Sequence, residues 1–468
     1  MVGYFPKYFT SRAIALYVIL LLVLPVLFGF PMYWYWWIIG FIEVGGFFYF
    51  SNVLSRAWSG LNGKALEKNL MLTSWLIRAI YVLFSFTFYQ LLNGQPFEFS
   101  AADAKLYDEV GRQGAEMILS GNIDWNRLFL GMDLSDRGYP FLLSLVYSVT
   151  GKSILIYRLF KAVISAYTVV LVYRLARRNF GEDTARISAI FCMLMPNLVY
   201  YCGLHLKETE MLFVTVLFIE RADALFRTAV PRPRDMIFLA LVGVSAFFFR
   251  AVLCYVLFLT LVASVVLGSK RIKKGGKWAI EGLLLLVIGF LGYTQIGTSV
   301  IDTEEYENVQ QQQESAMQWR STRANGNAYA KYASASIFAP LIFTIPFPTM
   351  VNVEHQQNQQ MIHGGNYVKN ITSFFTILAF IMLLLSGEWR DNIVPLAFVV
   401  GYLIVLAFSN FAQSERFHIP SLPFELIIAS YGITHFKAKH KNWFTLWLVF
   451  IFIAIIGWSW FKLRGRGL

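Results

Sequence analysis

The sequence predicts an all-α, polytopic membrane protein of about 13 transmembrane helices, with interfacial helices at the outer face and two long extracytoplasmic loops. The 468 residues are 57% hydrophobic and only 15% charged. Apolar runs of membrane-spanning length recur along the chain, and Lys and Arg collect in a few short segments between them. This composition excludes a water-soluble enzyme and a basic nucleic-acid-binding protein, which would carry a larger charged fraction.

Each transmembrane segment is predicted from an apolar run that approaches the roughly 20 residues needed to cross the hydrocarbon core. The predicted spans are residues 13–30, 33–50, 71–92, 153–174, 184–202, 208–226, 235–250, 251–268, 278–297, 371–386, 392–410, 419–436 and 443–461. The run at 139–151 is too short to span, and we predict an interfacial helix on the outer face there.

The distribution of Lys and Arg predicts the orientation of these spans, because cytoplasmic loops carry an excess of both residues. Five basic segments are therefore assigned to the cytoplasm, at residues 56–68, 174–186, 221–234, 270–277 and 437–441. The basic segments at 221–234 and 270–277 can both be cytoplasmic only if the residues between them cross the membrane twice. The turn between these two crossings then lies near Arg250, on the outer side. Because successive spans cross the membrane in opposite directions, the basic C-terminal residues 462–468 are placed outside. This placement disagrees with the preference of Lys and Arg for the cytoplasmic side.

We predict four parts along the chain. Residues 1–70 form an additional N-terminal helical hairpin, and residues 71–296 form the transmembrane core with the first outer loop at 93–137. A second long outer loop covers residues 297–370, and C-terminal transmembrane helices cover 371–468. Because long loops on one face are usually functional, we expect the chemistry at the outer face.

Ionisable side chains at the ends of membrane helices are costly and often mark function. Five cations fall near the outer ends of predicted spans, two of them in the same span: Arg158, Lys161, Lys207, Arg250 and Arg416. Together they would suit the phosphate of an anionic lipid headgroup, whereas separately each would only extend to the interface. Arg grips phosphate through two parallel hydrogen bonds, which favours the two arginines at 250 and 416.

The first outer loop supplies a carboxylate, Asp103, at the start of a predicted amphipathic helix, with Tyr107 one turn later. An Asp at a helix start is commonly a cap. A carboxylate facing the membrane interface is also suited to accept a proton from a hydroxyl group. The residues alone leave both interpretations open.

Four stretches carry a resemblance to a known family: DAKLY (103–107), the segment from GYPFLLSLVY to RLARRNFG (138–181), PNLVYYCGLHLKETEMLF (196–213) and SERFHIPSLPFELIIASYGI (414–433). Their order and spacing resemble the GT-C superfamily of polytopic glycosyltransferases, in particular the relatives of bacterial protein mannosyltransferase and aminoarabinose transferase. The resemblance covers about residues 91–432. It implies a GT-C-like fold.

The resemblance also implies transfer of a sugar, with inversion, from a polyprenyl-phosphate-linked donor at the extracytoplasmic face. Asp103 matches the first-loop catalytic base, Arg416 the late arginine near the donor phosphate, and Glu208 an acid at a helix start. Arg250 resembles an arginine at the turn of the central hairpin. Ala104 departs from the mannosyltransferase-like members, which usually have Glu there. Candidate substrate contacts and a second acid are Glu208, Tyr107, Tyr139 and His418.

The expected partners are the lipid-linked sugar donor, a lipid, glycan or protein acceptor, and membrane lipids, with no nucleic acid. We expect a multi-pass protein of the bacterial inner membrane. No cofactor is predicted to be required; a divalent ion stays open because Asp302 and Glu304, like Glu208 and Glu210, form acid-x-acid patterns. Two alternatives remain: an envelope polysaccharide polymerase or ligase using a polyprenyl-pyrophosphate-linked glycan, and a transporter or flippase of lipid-linked sugars.

Overall fold

The computed structural model describes residues 3–268, 273–293, 335–409 and 411–467, with single positions 315, 318 and 322. All regular structure in these residues is helical. The helices of the first half are α1 Lys7–Phe28, α2 Trp34–Ala57, α3 Gly63–Asn93, α4 Ala102–Ser120, α5 Trp125–Leu128, α6 Gly138–Thr150, α7 Ile154–Phe180, α8 Glu182–Leu194, α9 Pro196–Gly203, α10 Glu208–Phe226, α11 Pro233–Phe247, α12 Ala251–Leu267 and α13 Lys274–Tyr293.

The helices of the second half are α14 Ala335–Phe338, α15 Gln357–Met361, α16 His363–Ser386, α17 Ile393–Ala407, α18 Glu415–His418, α19 Leu422–Thr434 and α20 His440–Arg464. Within the described residues, 3₁₀ turns at Leu134–Asp136, Ala339–Leu341 and Glu388–Arg390 lie in the connections. The first half of the second long outer loop, including Asp302 and Glu304, lies outside the described residues except for three single positions.

Six of the described helices are long and apolar enough to cross a membrane: α1, α2, α3, α7, α16 and α20. The pair α8 and α9, bent by 43° at its break, would make a seventh span. Among the shorter apolar helices, α6 and α19 pack against these spans, whereas α12 and α17 pack against each other and against α10. The chain is therefore a multi-pass integral membrane protein whose described part is all-helical. The count of thirteen spans is not confirmed and stays a prediction.

Contacts between helix ends define one face of the molecule, which we call the basic face. Arg186 donates hydrogen bonds to the carbonyl oxygens of Trp58 and Leu61, and Arg227 donates to the side chain of Asn179. These contacts join basic segments that lie far apart in the sequence. Positively charged loops thus gather at the same end of the helices, as the charge rule predicts.

The opposite helix ends form a second face, which we call the loop face. Here the side chain of Asn358 exchanges hydrogen bonds with the backbone of Phe99, which joins the two long loops. Lys462, near the end of α20, donates to the side chains of Gln356 and Gln359. The C-terminal end of α20 therefore lies on the same face as both loops, as the alternation of spans requires.

Helix α4, in the first outer loop, and helix α6, directly after that loop, pack tightly against each other. A Cβ atom at Gly111 would lie 2.7 Å from Cβ of Leu143, so glycine allows the close approach of the two helices. On its other side α6 exposes Phe141, Leu145 and Val149, spaced four residues apart. This apolar stripe fits a helix that lies in the membrane interface, and its packing fixes the position of α4.

Candidate active site

A cavity of about 530 Å³ opens at the loop face between α4, the segment 128–136 and α18. Predicted site residues in its wall are Asp103, Tyr107, Lys207, Arg250 and Arg416. The remaining lining residues are Leu106, Val110, Leu128, Leu130, Gly131, Met132, Asp133, Ser135, Asp136 and Phe417. The cavity thus has one wall of paired charges and another of apolar side chains.

Arg416 is the centre of the charged wall. Its Nη1 atom donates to Oδ2 of Asp103 at 2.5 Å, and its Nε atom donates to Oε1 of Glu208. Burial by itself would lower the Arg416 pKa, but the two carboxylates raise it above its ordinary value. The guanidinium therefore carries a permanent positive charge at the mouth of the cavity.

Glu208 contacts Arg416 from the buried side of the guanidinium group. It is the first residue of α10 and is fully buried, and the positive end of the helix dipole favours its negative charge there. Its second carboxylate oxygen, Oε2, has no hydrogen-bond partner among the described residues. This arrangement is suited to hold Arg416 in one orientation while the rest of the guanidinium faces the cavity.

Arg250 lies at the sharp turn between α11 and α12, where the sequence predicts the turn of a hairpin. Its guanidinium carbon is 4.4 Å from the centre of the Phe417 ring, a cation–π contact that holds it toward the cavity. Within the described part of the chain, Nη1 of Arg250 is buried without a hydrogen-bond partner. Arg250 therefore retains a donor for a ligand.

Lys207, directly before α10, forms an ion pair with Asp136. Burial lowers the Lys207 pKa below its ordinary value of 10.5, and Asp136 offsets part of this effect. Lys207 is thus a cation whose charge depends on its partner and on pH.

Two tyrosines line and support the cavity at different depths. The Tyr107 ring reaches the cavity and packs edge-on against Tyr139, with ring centres 5.2 Å apart. Burial raises the Tyr107 pKa, so its phenol stays protonated and is able to donate a hydrogen bond. Tyr139 lies behind it, fully buried, and its hydroxyl has no partner among the described residues.

The structure places Arg158 and Lys161 below the cavity, and neither residue lines it. Both are completely buried. Arg158 donates to the carbonyl oxygen of Pro96 at 2.6 Å. Lys161 donates to the carbonyl oxygen of Leu206 at 2.5 Å and lies 3.7 Å from the Glu210 carboxylate. These contacts attach the loops at the outer end of α7, so their geometry favours a structural role.

His418 also turns away from the cavity. Its Nδ1 atom lies 2.8 Å from the ammonium of Lys369, and its Nε2 atom lies 2.7 Å from the carbonyl oxygen of Ala412. Lys369 is in turn 3.9 Å from Glu425. His418 therefore belongs to a buried polar cluster between α16 and α19.

Sequence reasoning missed the contribution of the segment 128–136, which supplies Asp133, Asp136 and Met132 to the cavity wall. A signal was present, because the first outer loop has a clear excess of acids over bases. No group of three His, Cys, Asp or Glu residues in the described part of the chain is arranged to hold a metal ion. Since Asp302 and Glu304 are not described, metal dependence stays open.

Comparisons with known proteins address the family. A family model described as dolichyl-phosphate-mannose-protein mannosyltransferase matches residues 138–293, about a third of the chain. The matched segment includes Lys207, Glu208 and Arg250 but neither Asp103 nor Arg416. Over this segment the match confirms the resemblance to polytopic, lipid-donor glycosyltransferases that the sequence predicts. No curated protein matches the sequence.

Among solved structures, the chain is similar to an archaeal oligosaccharyltransferase from Archaeoglobus fulgidus, in complex with an inhibitory peptide and a dolichol-phosphate. The identity is 11% and the TM-score is 0.42, over 86% of this chain and 56% of the archaeal enzyme. The chain thus spans little more than half the length of that enzyme.

Proposed function

We propose that the protein is a membrane glycosyltransferase that moves a sugar from a polyprenyl-phosphate-linked donor to an acceptor hydroxyl, with inversion at the anomeric carbon. One observation supports this above all: Asp103 and the three cations Lys207, Arg250 and Arg416 line a single cavity whose other wall is apolar. The family match over residues 138–293 is consistent with this chemistry.

The two walls of the cavity suit the two parts of such a donor. Arg416, Arg250 and Lys207 provide hydrogen bonds and positive charge for the phosphate. On the apolar side, Leu106 is 50% exposed and Leu130 is 85% exposed, so this wall continues onto the outer surface of the protein. A polyprenyl chain would follow that surface into the bilayer.

The transfer requires one base and a stabilised leaving group. The acceptor oxygen forms the new bond to the anomeric carbon while the bond from that carbon to the phosphate oxygen breaks. The electron pair leaves with the polyprenyl phosphate, whose charge the cations balance. Asp103 accepts the proton of the acceptor hydroxyl, and attack opposite the leaving group inverts the configuration.

The contact between Arg416 and Asp103 suggests how donor binding prepares the base. A donor phosphate would compete with Asp103 for Nη1 of Arg416, while Glu208 keeps its hydrogen bond to Nε. Asp103 would then be released to bind the acceptor hydroxyl. In this scheme Glu208 is a positioning residue that acts through Arg416.

The side of the membrane on which the reaction takes place follows from the charges of the two faces. The segments rich in Lys and Arg meet at the basic face, which the positive-inside rule assigns to the cytoplasm. The cavity opens at the opposite face. We therefore assign the reaction to the extracytoplasmic side of a bacterial inner membrane.

Replacing the proposed base tests the function directly. We expect Asp103→Asn to lower transfer by about a hundredfold or more, since a positioned general base contributes roughly 10²–10⁴-fold. Release of polyprenyl phosphate from polyprenyl-phosphate-linked sugars by protein in nanodiscs measures this.

Asp124→Asn is the matched control for this variant. Asp124 lies in the same loop, caps α5 through its side chain and does not line the cavity, and Asn preserves the cap. We expect near-normal turnover from this control. Normal turnover by Asp103→Asn would refute the assignment of the base.

A further inference from the structure

The cations of the basic face form two sets that differ in their partners. In the first set, around α7, α8 and α10, arginines pair with carboxylates: Arg174 with Glu67, Arg178 with Glu220 and Asp223, Arg186 with Glu182, and Arg227 with Asp223. The second set lies in residues 3–12 and 437–445, where α1 and α20 begin. These stretches contain no Asp or Glu, and their cations are Lys7, Arg12, Lys437, Lys439 and Lys441.

The starts of α1 and α20 pack against each other. Phe9 and Phe444 meet edge-on with ring centres 5.0 Å apart, and the Tyr8 ring centre lies 6.3 Å from that of Phe444. Nη1 of Arg12 donates to the hydroxyl of Thr445 at 2.7 Å. The two helix starts therefore form one continuous surface, which we call the paired-start surface.

Two cations of the paired-start surface lie against a single ring. The guanidinium carbon of Arg12 is 4.3 Å from the centre of the Tyr8 ring, and Nζ of Lys441 is 5.3 Å from it. Both side chains are exposed. Among the described residues neither has a carboxylate partner, and neither Nζ of Lys441 nor the Tyr8 hydroxyl makes a hydrogen bond. Two positive charges and a free hydroxyl thus remain available to an anion from outside the protein.

The surface that leads from these cations along the two helices is apolar and open. Both α1 and α20 are long and apolar enough to cross a membrane. Ile19, two turns after Arg12 on the same stripe of α1, is 48% exposed, and Val449, one turn after Thr445 on α20, is 51% exposed. An anion with long apolar chains therefore finds charge at one end of this surface and hydrocarbon contacts along the rest.

We infer that the paired-start surface binds one anionic phospholipid, whose phosphate is held by Arg12, Lys441 and Tyr8 at the basic face. Lys and Arg clusters at the ends of membrane helices attract anionic headgroups, and here no protein carboxylate competes for them. A free phosphate would gain the charged contacts but not the apolar surface of α1 and α20. The site lies at the face opposite the proposed reaction, so the inference goes beyond the proposed function and does not depend on it.

Lipid binding by the full-length protein in detergent tests this inference. Native mass spectrometry measures the dissociation constants of dioleoyl-phosphatidylglycerol and of dioleoyl-phosphatidylcholine, which has the same acyl chains but no net charge. We expect phosphatidylglycerol to bind more tightly. Arg12→Gln/Lys441→Gln should weaken its binding about tenfold or more, because both charged contacts to the phosphate are lost, and should leave phosphatidylcholine binding nearly unchanged.

Lys64→Gln/Lys68→Gln is the matched control. Both lysines are exposed on the first turns of α3, which begins at the basic face beside the contact between Arg186 and Leu61. This variant removes the same charge from the same face without changing the paired-start surface. Its phosphatidylglycerol binding should stay close to that of the unmodified protein. Size-exclusion chromatography of both variants checks that they fold.

Equal affinity for the two lipids would overturn the inference, as would normal phosphatidylglycerol binding by Arg12→Gln/Lys441→Gln. An equal loss of binding in the control variant would also overturn it, because the attraction would then come from the whole basic face. Displacement of phosphatidylglycerol by inorganic phosphate at constant ionic strength would assign the cations to a free anion and exclude the lipid.

Discussion

Two groups of cations lie near the loop face, and they differ in what they contact. Lys207, Arg250 and Arg416 line the cavity, and two of them are paired with carboxylates that also border it. Arg158 and Lys161 lie deeper and donate to backbone carbonyl oxygens. A ligand anion in the cavity is able to replace a carboxylate partner of Lys207 or Arg416. The same anion does not reach Arg158 or Lys161, because neither residue lines the cavity.

The comparison shows that a cation near the outer end of a membrane helix is not by itself evidence of ligand binding. Access to a cavity and an exchangeable partner separate the two groups. A buried cation that holds carbonyl groups stabilises the fold, and removing it leaves those groups unsatisfied. Substitutions should therefore affect donor use in one group and stability in the other.

The largest effect is expected at Arg416. Arg416→Ala leaves Glu208 buried without its partner and removes the proposed phosphate contact. We expect kcat/KM for the lipid-linked donor to fall by roughly a hundredfold or more, because truncating one partner of a buried charged pair costs about 2–5 kcal/mol. Steady-state kinetics at varied donor concentration measure the change.

Arg416→Lys serves as the conservative comparison for this variant. It keeps the charge but loses the paired donors, so we expect partial recovery of kcat/KM. Normal use of the donor by Arg416→Ala would refute the assignment of Arg416 to the proposed phosphate site.

The second expected effect is a loss of folding stability when a cation of the buried group, Arg158 and Lys161, is replaced. Lys161→Met removes the donor to the Leu206 carbonyl and leaves the Glu210 carboxylate buried beside it. Breaking a buried pair in this way costs about 3 kcal/mol. We expect a lower thermal unfolding midpoint with an unchanged donor KM in the protein that remains folded.

Thermal unfolding monitored by size-exclusion chromatography measures the effect of Lys161→Met. Lys64→Met, which changes an exposed lysine at the start of α3, is the control and should leave the midpoint nearly unchanged. A stable Lys161→Met protein with a raised donor KM would move Lys161 from the structural group into the binding group.

The smallest expected effect is a pH dependence at Lys207. Because burial lowers the Lys207 pKa, this cation loses its proton at a lower pH than an exposed lysine does. As pH rises through the lowered pKa, donor kcat/KM should fall by about tenfold, since one charged contact to phosphate is lost. The decline should begin below pH 10.5, the ordinary value for lysine.

Lys207→Arg is the diagnostic variant for this pH effect. Arginine stays charged throughout the range, so the alkaline decline should move to higher pH. Identical pH profiles for the two proteins would exclude Lys207 as the titrating group.

Much of the fold was predictable because the membrane imposes strong rules on sequence. Apolar runs of the required length became helices, and the helix break at Arg250 lies where the positions of the flanking basic segments require a turn. A helix, Gly138–Thr150, is present where the sequence predicts an interfacial helix near residues 139–151, and its interfacial location stays a prediction. The number of spans was less predictable, since several of the helices are short.

The grouping of the cations was not predictable in full. Arg158 and Lys161 are three residues apart and share one face of α7, so they take the same environment. Which environment this is depends on the rotation of α7. In a soluble helix the polar face indicates the solvent side, but in a bilayer both the lipid and the protein interior are apolar, so sequence periodicity loses this information.

The sequence by itself determined the class of the protein and the residue types available at the helix ends, and it predicts the sides of the loops. Only the tertiary structure decided which charges meet. Arg416 contacts Asp103, 313 positions away, and Glu208, 208 positions away. Contacts over such distances depend on how the helices pack and where the loops return. Local hydrophobicity and charge determine insertion into the membrane, whereas packing between helices determines the site.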